Sequence, residues 1–485
     1  MARLHGPTAD GSTLTSGFQP LLAFMMIPVY WMTDSADAAL RIDLLLLVVV
    51  DVMIVAVLSW IAFRIAGRIA AVVAAVLWAI SPVAVTLALG GLETSLALLC
   101  EVSLVAACVW ANDRASTPRW TVVGVLAGLA VLARVDALLL VALLAVVQIC
   151  RGPRKWILPA MIGGALTLAP WWLFCIVTFG TPIPTSGSAL HRLATVKPLS
   201  KQSAAEVAGA VSGGPFSNLT SLRLRLHHGT GWGWLLFFAF LLALAAISIA
   251  WLRRSFREDS AIGPTRDGDS ANAFVAVLPA FAAGLMVFYA WFGVGYFFTR
   301  YLAPVRLTLT LAIAVIIGRL AGATRRRTHP GLIAVAAAVG ILTIGAARTD
   351  LSMLRDDRPH FGTDAATGYR EPARAVVRIP PSGSVIGAFQ SGALSYFADG
   401  RLKVINLDGV VNPDAPSPLR PGLTARYMRE RHIRWLADWP NFVNRILTGV
   451  TSQYRPPPRI RSVAQLPQLD NLEYFQVVEI EDPAH

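Results

Sequence analysis

Long apolar runs alternate with short polar segments from the start of the chain to about residue 350. Most runs approach the roughly 20 residues that a helix needs to cross a hydrocarbon core of about 30 Å. They predict about ten membrane helices, at 39–63, 68–89, 92–111, 120–134, 136–150, 156–178, 232–252, 272–292, 302–320 and 330–348. The fourth and fifth are short enough to form a hairpin that does not fully cross. The apolar run at 18–31 is shorter still and predicts a helix that lies in the interface or re-enters the membrane.

Basic residues fall in alternate loops between these runs. Five loops carry them, at Arg64 and Arg68, Arg114 and Arg119, 151–155, 253–257 and 325–327. Arg and Lys in short loops mark the cytoplasmic side. The pattern therefore places the N-terminal segment, the loops at 90–93, 134–136, 179–231 and 291–304, and the C-terminal tail on the exterior side of a plasma membrane.

Composition supports a membrane protein. The chain has 485 residues, of which 55% are hydrophobic and 15% charged, and its mean hydropathy is +0.58. A soluble domain cannot bury that much apolar surface. A formal charge of +13 is compatible with a nucleic-acid partner. The arginines in the loops account for this charge, however, and no basic stripe with interleaved aromatics occurs. We therefore expect no nucleic-acid partner. All four cysteines lie in apolar runs, which argues against a disulfide framework.

The tail from residue 351 has the composition of a soluble domain. Predicted strands lie at 385–388, 402–407, 434–437 and 474–480, with helices near 391–397 and 424–431. This alternation predicts a small extracytoplasmic α/β domain at 351–485 after a membrane domain at 1–350. No glycine-rich phosphate fingerprint follows a strand, so nucleotide binding is not predicted.

Several charged residues stand out against the apolar background. Asp51 and Glu101 lie within predicted membrane helices, where a charge is costly. They serve a proton relay, pair with a neighbouring helix or line a hydrated interior. Glu93 follows two glycines at an exterior helix start, where it either contacts a ligand or stabilises the helix N-terminus. Arg134 and Asp136 share an exterior turn and either pair with each other or bind a phosphate.

The long exterior loop at 179–231 is rich in basic residues, including His191 and Arg192. Basic groups at an outer membrane surface can hold a lipid phosphate, and the alternative is a solvated loop. Arg300 and Tyr301 form a further exterior pair at a helix start. No metal site is predicted, because the His227–His228 pair has no partner at metal-ligand spacing, and no cofactor requirement is evident; whether a divalent metal takes part stays open.

Short motifs follow one another in a fixed order along the chain. They are TSGFQPL at 15–21, GLET at 91–94, LARVD at 132–136, FGTPIP at 179–184 with Ser186 and Gly187, Arg300 and Tyr301 before Pro304, IGAF at 386–389 and NLDG at 406–409. In this order they resemble the GT-C superfamily of glycosyltransferases that use polyprenyl-phosphate sugars. The pattern is similar to protein O-mannosyltransferases, aminoarabinose transferases and mycobacterial terminal arabinofuranosyltransferases.

The resemblance implies an inverting transfer from a lipid-phosphate sugar to an envelope glycan, lipid or protein. Such a transfer needs a base for the acceptor hydroxyl and cations for the leaving phosphate. The usual acidic residues of the family are absent from this sequence, so Asp10 and Glu93 are the candidate catalytic residues by hypothesis. The implied phosphate-binding residues are Arg134, His191, Arg192, Arg300 and Tyr301, with Gln19, Asp136 and Ser186 on the substrate loops.

The chain departs from the family pattern at its start. The family has a first helix and an acidic exterior loop before the segment that matches 15–21, and here neither is present. We therefore expect a misassigned start or a fragment. Two other classes stay open: a transporter or flippase of lipid-linked sugars, although it would show two related halves that we do not see, and an inactive envelope-assembly partner. The Ala-, Arg- and Val-rich composition is associated with GC-rich bacteria such as actinomycetes.

Overall fold

The structure is a computed structural model. It describes residues 6–192, 200–212, 230–259, 269–292, 299–323, 370–415, 421–453, 459–467 and 474–481. The helices before residue 324 are α1 Pro20–Met32, α2 Ala36–Ala79, α3 Pro82–Leu89, α4 Thr94–Asp113, α5 Thr117–Ala133, α6 Ala137–Arg151, α7 Ile157–Phe179, α8 Thr185–Arg192, α9 Lys201–Ser212, α10 Thr230–Asp259, α11 Asp269–Val275, α12 Val277–Phe292 and α13 Ala303–Ala323.

Six helices in the described ranges are long and apolar enough to cross a membrane, by length and composition. They are Ala36–Ala79, Thr94–Asp113, Arg154–Phe179, Leu235–Arg253, Asn272–Trp291 and Arg300–Gly322. Three shorter apolar helices, Pro20–Met32, Thr117–Ala133 and Ala137–Cys150, accompany them. The predicted class, a helical membrane protein with a small α/β domain, is confirmed. The count of about ten stays a prediction, because the run at 330–348 lies outside the described residues.

The first two predicted spans share one 44-residue helix, α2. Its helical geometry breaks at Gly67, where φ is 82°. Glycine tolerates this left-handed conformation, and the predicted boundary between the two spans falls at the same place. The second predicted span ends early, because the helix stops at Ala79 and α3 restarts at Pro82 after the Ser81 N-cap.

Small residues let α5 and α7 approach closely. A methyl group added at Gly124 would lie 1.9 Å from the Ala160 carbonyl oxygen, and one at Gly163 would lie 2.4 Å from that of Thr121. Packing of backbone on backbone through glycine is typical of helix contacts inside membranes. On its outer face α7 exposes large apolar side chains such as Leu166 and Val177, which suits contact with lipid tails.

The C-terminal part is an α/β domain with one five-stranded sheet. Its elements are α14 Arg370–Arg378, β1 Val385–Ala388, α15 Ser391–Ala398, β2 Lys403–Asn406, α16 Pro421–Glu430, β3 Trp435–Asp438, α17 Pro440–Gln453, β4 Arg459–Pro467 and β5 Tyr474–Glu481. The strand order is β2-β1-β3-β5-β4. Strands β2, β1 and β3 are parallel, whereas β5 and β4 pair antiparallel at the other side. All four predicted strands and both predicted helices are confirmed; the sequence analysis missed α14, α17 and β4.

Polar contacts dock this domain on the membrane helices. Tyr396 donates to the Ala36 carbonyl at 2.6 Å, and Arg374 pairs with Asp37. Both contacts join the C-terminal domain to the start of α2. On another flank, the Thr185 hydroxyl donates to the Val410 carbonyl at 3.2 Å. The domain is thereby fixed over one end of the helical bundle. The boundary predicted at residue 350 lies outside the described residues.

Candidate active site

A cavity of about 770 Å³ lies between the helical bundle and the C-terminal domain. Its wall includes Gln19, Glu93, Arg134, Asp136, Ser186, Arg300 and Tyr301 among the residues predicted from sequence. These residues come from separate loops that the charge pattern assigned to one side of the membrane. The C-terminal domain adds Phe389, Gln390, Asp408, Val410 and Phe442.

Arg134 is the centre of a buried ion-pair cluster in this wall. It follows the last residue of α5, and its guanidinium donates to Asp136 Oδ2 at 2.7 Å and to Glu93 Oε1 at 3.2 Å. It also donates to the Tyr289 hydroxyl at 2.9 Å, and that hydroxyl donates to Asp136 at 2.7 Å. Two carboxylates therefore surround one guanidinium. The predicted pairing of Arg134 with Asp136 is confirmed, and phosphate binding by Arg134 stays a prediction.

The charge of Arg134 keeps Asp136 ionised. Burial alone would raise the pKa of Asp136, but the neighbouring guanidinium and its hydrogen bonds hold that pKa below the usual value. A carboxylate that is stabilised in this way takes up a proton poorly. Asp136 thus suits the positioning of Arg134 rather than proton transfer.

Two guanidinium groups share the ring of Tyr301. Arg134 lies 4.9 Å and Arg300 5.2 Å from the ring centroid. Tyr289 stacks on the same ring at 5.3 Å. Cation–π contacts of this kind hold planar cations in a fixed orientation. Tyr289 lies within an apolar helix and was not predicted as a site residue.

The segment 15–19 enters the cavity wall by close backbone contact. A methyl group on Gly17 would lie 1.8 Å from the Val410 carbonyl oxygen. The neighbouring Ser16 hydroxyl accepts a hydrogen bond from the Thr185 amide at 3.3 Å. These contacts join the N-terminal segment, α8 and the C-terminal domain, and they bring Gln19 and Ser186 to the cavity.

Asp10 is not among the residues that line the cavity. Its Oδ1 accepts from the amides of Thr13 at 2.7 Å and Ser12 at 2.9 Å, and Asn412 donates to Oδ2 at 3.2 Å. Partial burial would raise the pKa of Asp10, but the Thr13 and Ser12 hydrogen bonds hold it below the usual value. A base role for Asp10 stays a prediction, and this geometry is that of a structural Asx turn.

The remaining residues singled out from the sequence are His191, Arg192, His227, His228, Asp51 and Glu101. His191 and Arg192 end α8, and their side chains, like residues 213–229 with His227 and His228, lie outside the described part of the chain. Within the described ranges, no group of three or more His, Cys, Asp or Glu side chains is arranged to hold a metal ion. Asp51 accepts from the Trp78 indole at 3.2 Å, whereas Glu101 is buried deep in α4.

Solved structures of another protein have a similar fold. The fold is similar to that of ArnT. The apo structure of ArnT from Cupriavidus metallidurans matches with a TM-score of 0.56 and 12% identity, over 96% of this chain and 88% of that chain. The structure of ArnT bound to undecaprenyl phosphate matches with a TM-score of 0.50 and 13% identity, over the same shares of the two chains. At such identity the similarity shows the fold alone, and membership of the GT-C superfamily stays a prediction. No protein-family model and no curated protein sequence matches the chain.

Proposed function

We propose that the protein is a membrane glycosyltransferase that moves a sugar from a polyprenyl-phosphate donor to a cell-envelope acceptor on the exterior face of the bacterial plasma membrane. The observation that carries the proposal is the cavity itself. It combines two arginines beside one tyrosine ring, Arg134 buried and Arg300 partly buried, with apolar side chains from the membrane helices and a mixed apolar and polar wall from the C-terminal domain.

The membrane side of the cavity suits a lipid phosphate. Arg300 and Arg134 flank Tyr301, and guanidinium groups bind phosphate oxygens through paired N–H donors. Leu138, Leu285 and Phe288 line the same cavity and offer an apolar path for the first isoprenoid units. Arg300 lines the cavity and is only partly buried, so we assign the main phosphate contact to Arg300. The buried Arg134, which pairs with Glu93 and Asp136, supports it.

These cations also fit the chemistry of transfer. Negative charge builds on the phosphate as its bond to the sugar breaks, and a fixed guanidinium stabilises that charge without reorganisation in the transition state. Two further features support the proposal: the fold is similar to that of ArnT, which has been crystallised with undecaprenyl phosphate, and the tail adds a second wall that can receive an acceptor.

The test begins with donor binding, because neither the sugar nor the acceptor is identified. Full-length protein in lipid nanodiscs is titrated with undecaprenyl phosphate and followed by native mass spectrometry. We expect Arg300→Ala to weaken binding by about tenfold or more, since a charge-assisted hydrogen bond contributes about 1.5–3 kcal/mol. Arg64→Ala is the matched control, because Arg64 pairs with Asp113 at 2.8 Å away from the cavity.

Transfer is then measured with radiolabelled polyprenyl-phosphate hexoses and pentoses and a crude envelope acceptor fraction. Wild-type protein and the Arg64→Ala variant should label the acceptor, whereas Arg134→Ala and Arg300→Ala should not. Equal binding and equal transfer by all four proteins would contradict the proposed site. Transport of intact donor across the vesicle membrane without any transfer would contradict the enzymatic function.

A further inference from the structure

The C-terminal part of the cavity wall comes from one edge of the sheet. Phe389 and Gln390 directly follow β1, Asp408 lies two residues after β2, and Phe442 lies in the first turn of α17, just after β3. Strands β1, β2 and β3 are parallel, so their carboxyl ends share this edge. Open α/β sheets bind ligands at the carboxyl ends of their parallel strands. The edge that faces the cavity is therefore the one expected to receive a substrate.

Two aromatic rings at this edge line the cavity side by side with polar groups. Phe389 and Phe442 stack with ring centroids 5.0 Å apart and an angle of 20° between the planes. The buried Asp438 accepts from the amides of Phe389 at 2.6 Å and Gln390 at 3.0 Å, which fixes the loop after β1. Asn406 donates to the Phe389 carbonyl at 2.9 Å and adds a second anchor. Apolar faces beside polar groups suit a sugar ring, which has apolar C–H faces and a polar rim.

Asp408 differs from the other carboxylates of the cavity wall. Glu93 and Asp136 both pair with Arg134. Asp408 accepts from the Val410 amide at 2.8 Å, and within the described residues it makes no salt bridge. A carboxylate without a guanidinium partner keeps its affinity for a proton, whereas the guanidinium of Arg134 lowers the pKa of Asp136.

We infer that the acceptor is a carbohydrate bound at the Phe389–Phe442 pair, and that Asp408 is the base that takes the proton from its hydroxyl. This inference rests on the proposed transferase function. In the step, the acceptor O–H proton moves to an Asp408 carboxylate oxygen. The acceptor oxygen bonds to the anomeric carbon of the donor sugar. The anomeric C–O bond to phosphate breaks, its electron pair goes to the phosphate oxygen, and polyprenyl phosphate leaves. Asp408 then returns the proton to water.

The surroundings of Asp408 suit this role. Burial raises the pKa of Asp408 to about 7, although hydrogen bonds from the Val410 amide and the Asn406 side chain lower it; the negative charge of Asp438 adds a smaller upward shift. A base works best when its pKa lies near the working pH. The other charged groups that line the cavity are Glu93, Arg134, Asp136 and Arg300.

The experiment compares Asp408→Asn with wild type in nanodiscs, in transfer to a glycan acceptor and in binding of undecaprenyl phosphate. We expect kcat to fall by about 10²–10⁴-fold, the usual contribution of a general base, while donor binding stays within about twofold. In wild type, kcat/KM should rise with pH through about 7 as Asp408 loses its proton, and Asp408→Asn should abolish that rise. Asp408→Glu should restore part of the rate. Asp399→Asn, an exposed change in the same domain, is the matched control.

A second variant tests the acceptor surface. Phe442→Leu keeps an apolar side chain at a buried position but removes the ring, so it should raise the acceptor KM severalfold with little change in kcat. Wild-type transfer and an unchanged pH profile in Asp408→Asn would overturn the inference and leave the proposed function intact. Weakened donor binding in that variant would overturn it too, because Asp408 would then serve the donor. Absence of transfer by wild type with every donor would refute the proposed function and the inference together.

Discussion

Replacing Arg134 by alanine tests how the ion-pair cluster holds the cavity wall together. The Arg134 side chain is 7% exposed, that of Asp136 10% and that of Glu93 16%. Without the guanidinium, two carboxylates are left largely buried and without their cation. Removal of one partner from a buried ion pair typically costs about 3–5 kcal/mol, most of it from the charge left behind.

The matched change is Arg64→Ala. The Arg64–Asp113 pair has a similar distance, 2.8 Å, but its side chains are 23% and 20% exposed. Water solvates the remaining Asp113, so we expect a loss of only about 1 kcal/mol. The loss of stability should thus be severalfold larger for Arg134→Ala than for Arg64→Ala, because the Arg134 cluster is more buried and contains two carboxylates rather than one.

The assay is thermal unfolding of the full chain in detergent, followed by intrinsic fluorescence at pH 7. At about 2 °C per kcal/mol for a large domain, Arg134→Ala should lower the apparent Tm by roughly 6–10 °C, and Arg64→Ala by about 2 °C. The double variant Arg134→Ala/Asp136→Asn removes one of the two carboxylate charges left without the guanidinium, so it should recover part of the lost Tm. Equal shifts for the two arginines, or no recovery in the double variant, would refute the reasoning from buried charge.

Two glycine substitutions test the close contacts that position the site. Gly17→Ala places a methyl group 1.8 Å from the Val410 carbonyl oxygen, so we expect it to separate the N-terminal segment from the C-terminal domain; faster release of that domain by limited proteolysis, with loss of transfer, is the readout. Gly124→Ala meets the Ala160 carbonyl at 1.9 Å and should lower the apparent Tm by forcing α5 and α7 apart. Gly392→Ala, which meets nothing within 4 Å, is the control for both and should leave proteolysis and Tm unchanged.

In the C-terminal domain, a strand could be predicted from the sequence where it is buried and therefore forms a short apolar run. The buried strands β1, β2 and β3 lie within two residues of their predicted bounds. Strand β4 was missed because it is an outer strand whose Arg459, Arg461 and Ser462 side chains are exposed, so it lacks an apolar run. The membrane helices were predictable from hydropathy, but the break at Gly67 and the restart at Pro82 depend on local backbone geometry.

The cavity residues were predictable to the extent that they are charged and lie in loops of an apolar chain. This signal located Glu93, Arg134, Asp136 and Arg300. It could not locate Tyr289, which is one more aromatic residue in an apolar helix. For Asp10 the informative feature is the local sequence Asp-Gly-Ser-Thr, in which the carboxylate can accept hydrogen bonds from nearby backbone amides. In the structure it accepts them from Ser12 and Thr13.

Asp408 was not predictable as a cavity residue, although it follows a predicted strand. Its position over the bundle depends on how the C-terminal domain docks, through contacts such as Tyr396 with Ala36. The family resemblance implies a base on an acidic loop near the N-terminus, whereas the cavity presents a carboxylate from the opposite end of the chain. The two hypotheses make different predictions for Asp408→Asn. If an N-terminal carboxylate takes the proton, the variant should change mainly the acceptor KM; if Asp408 takes it, the variant should lose kcat and the rise of rate with pH.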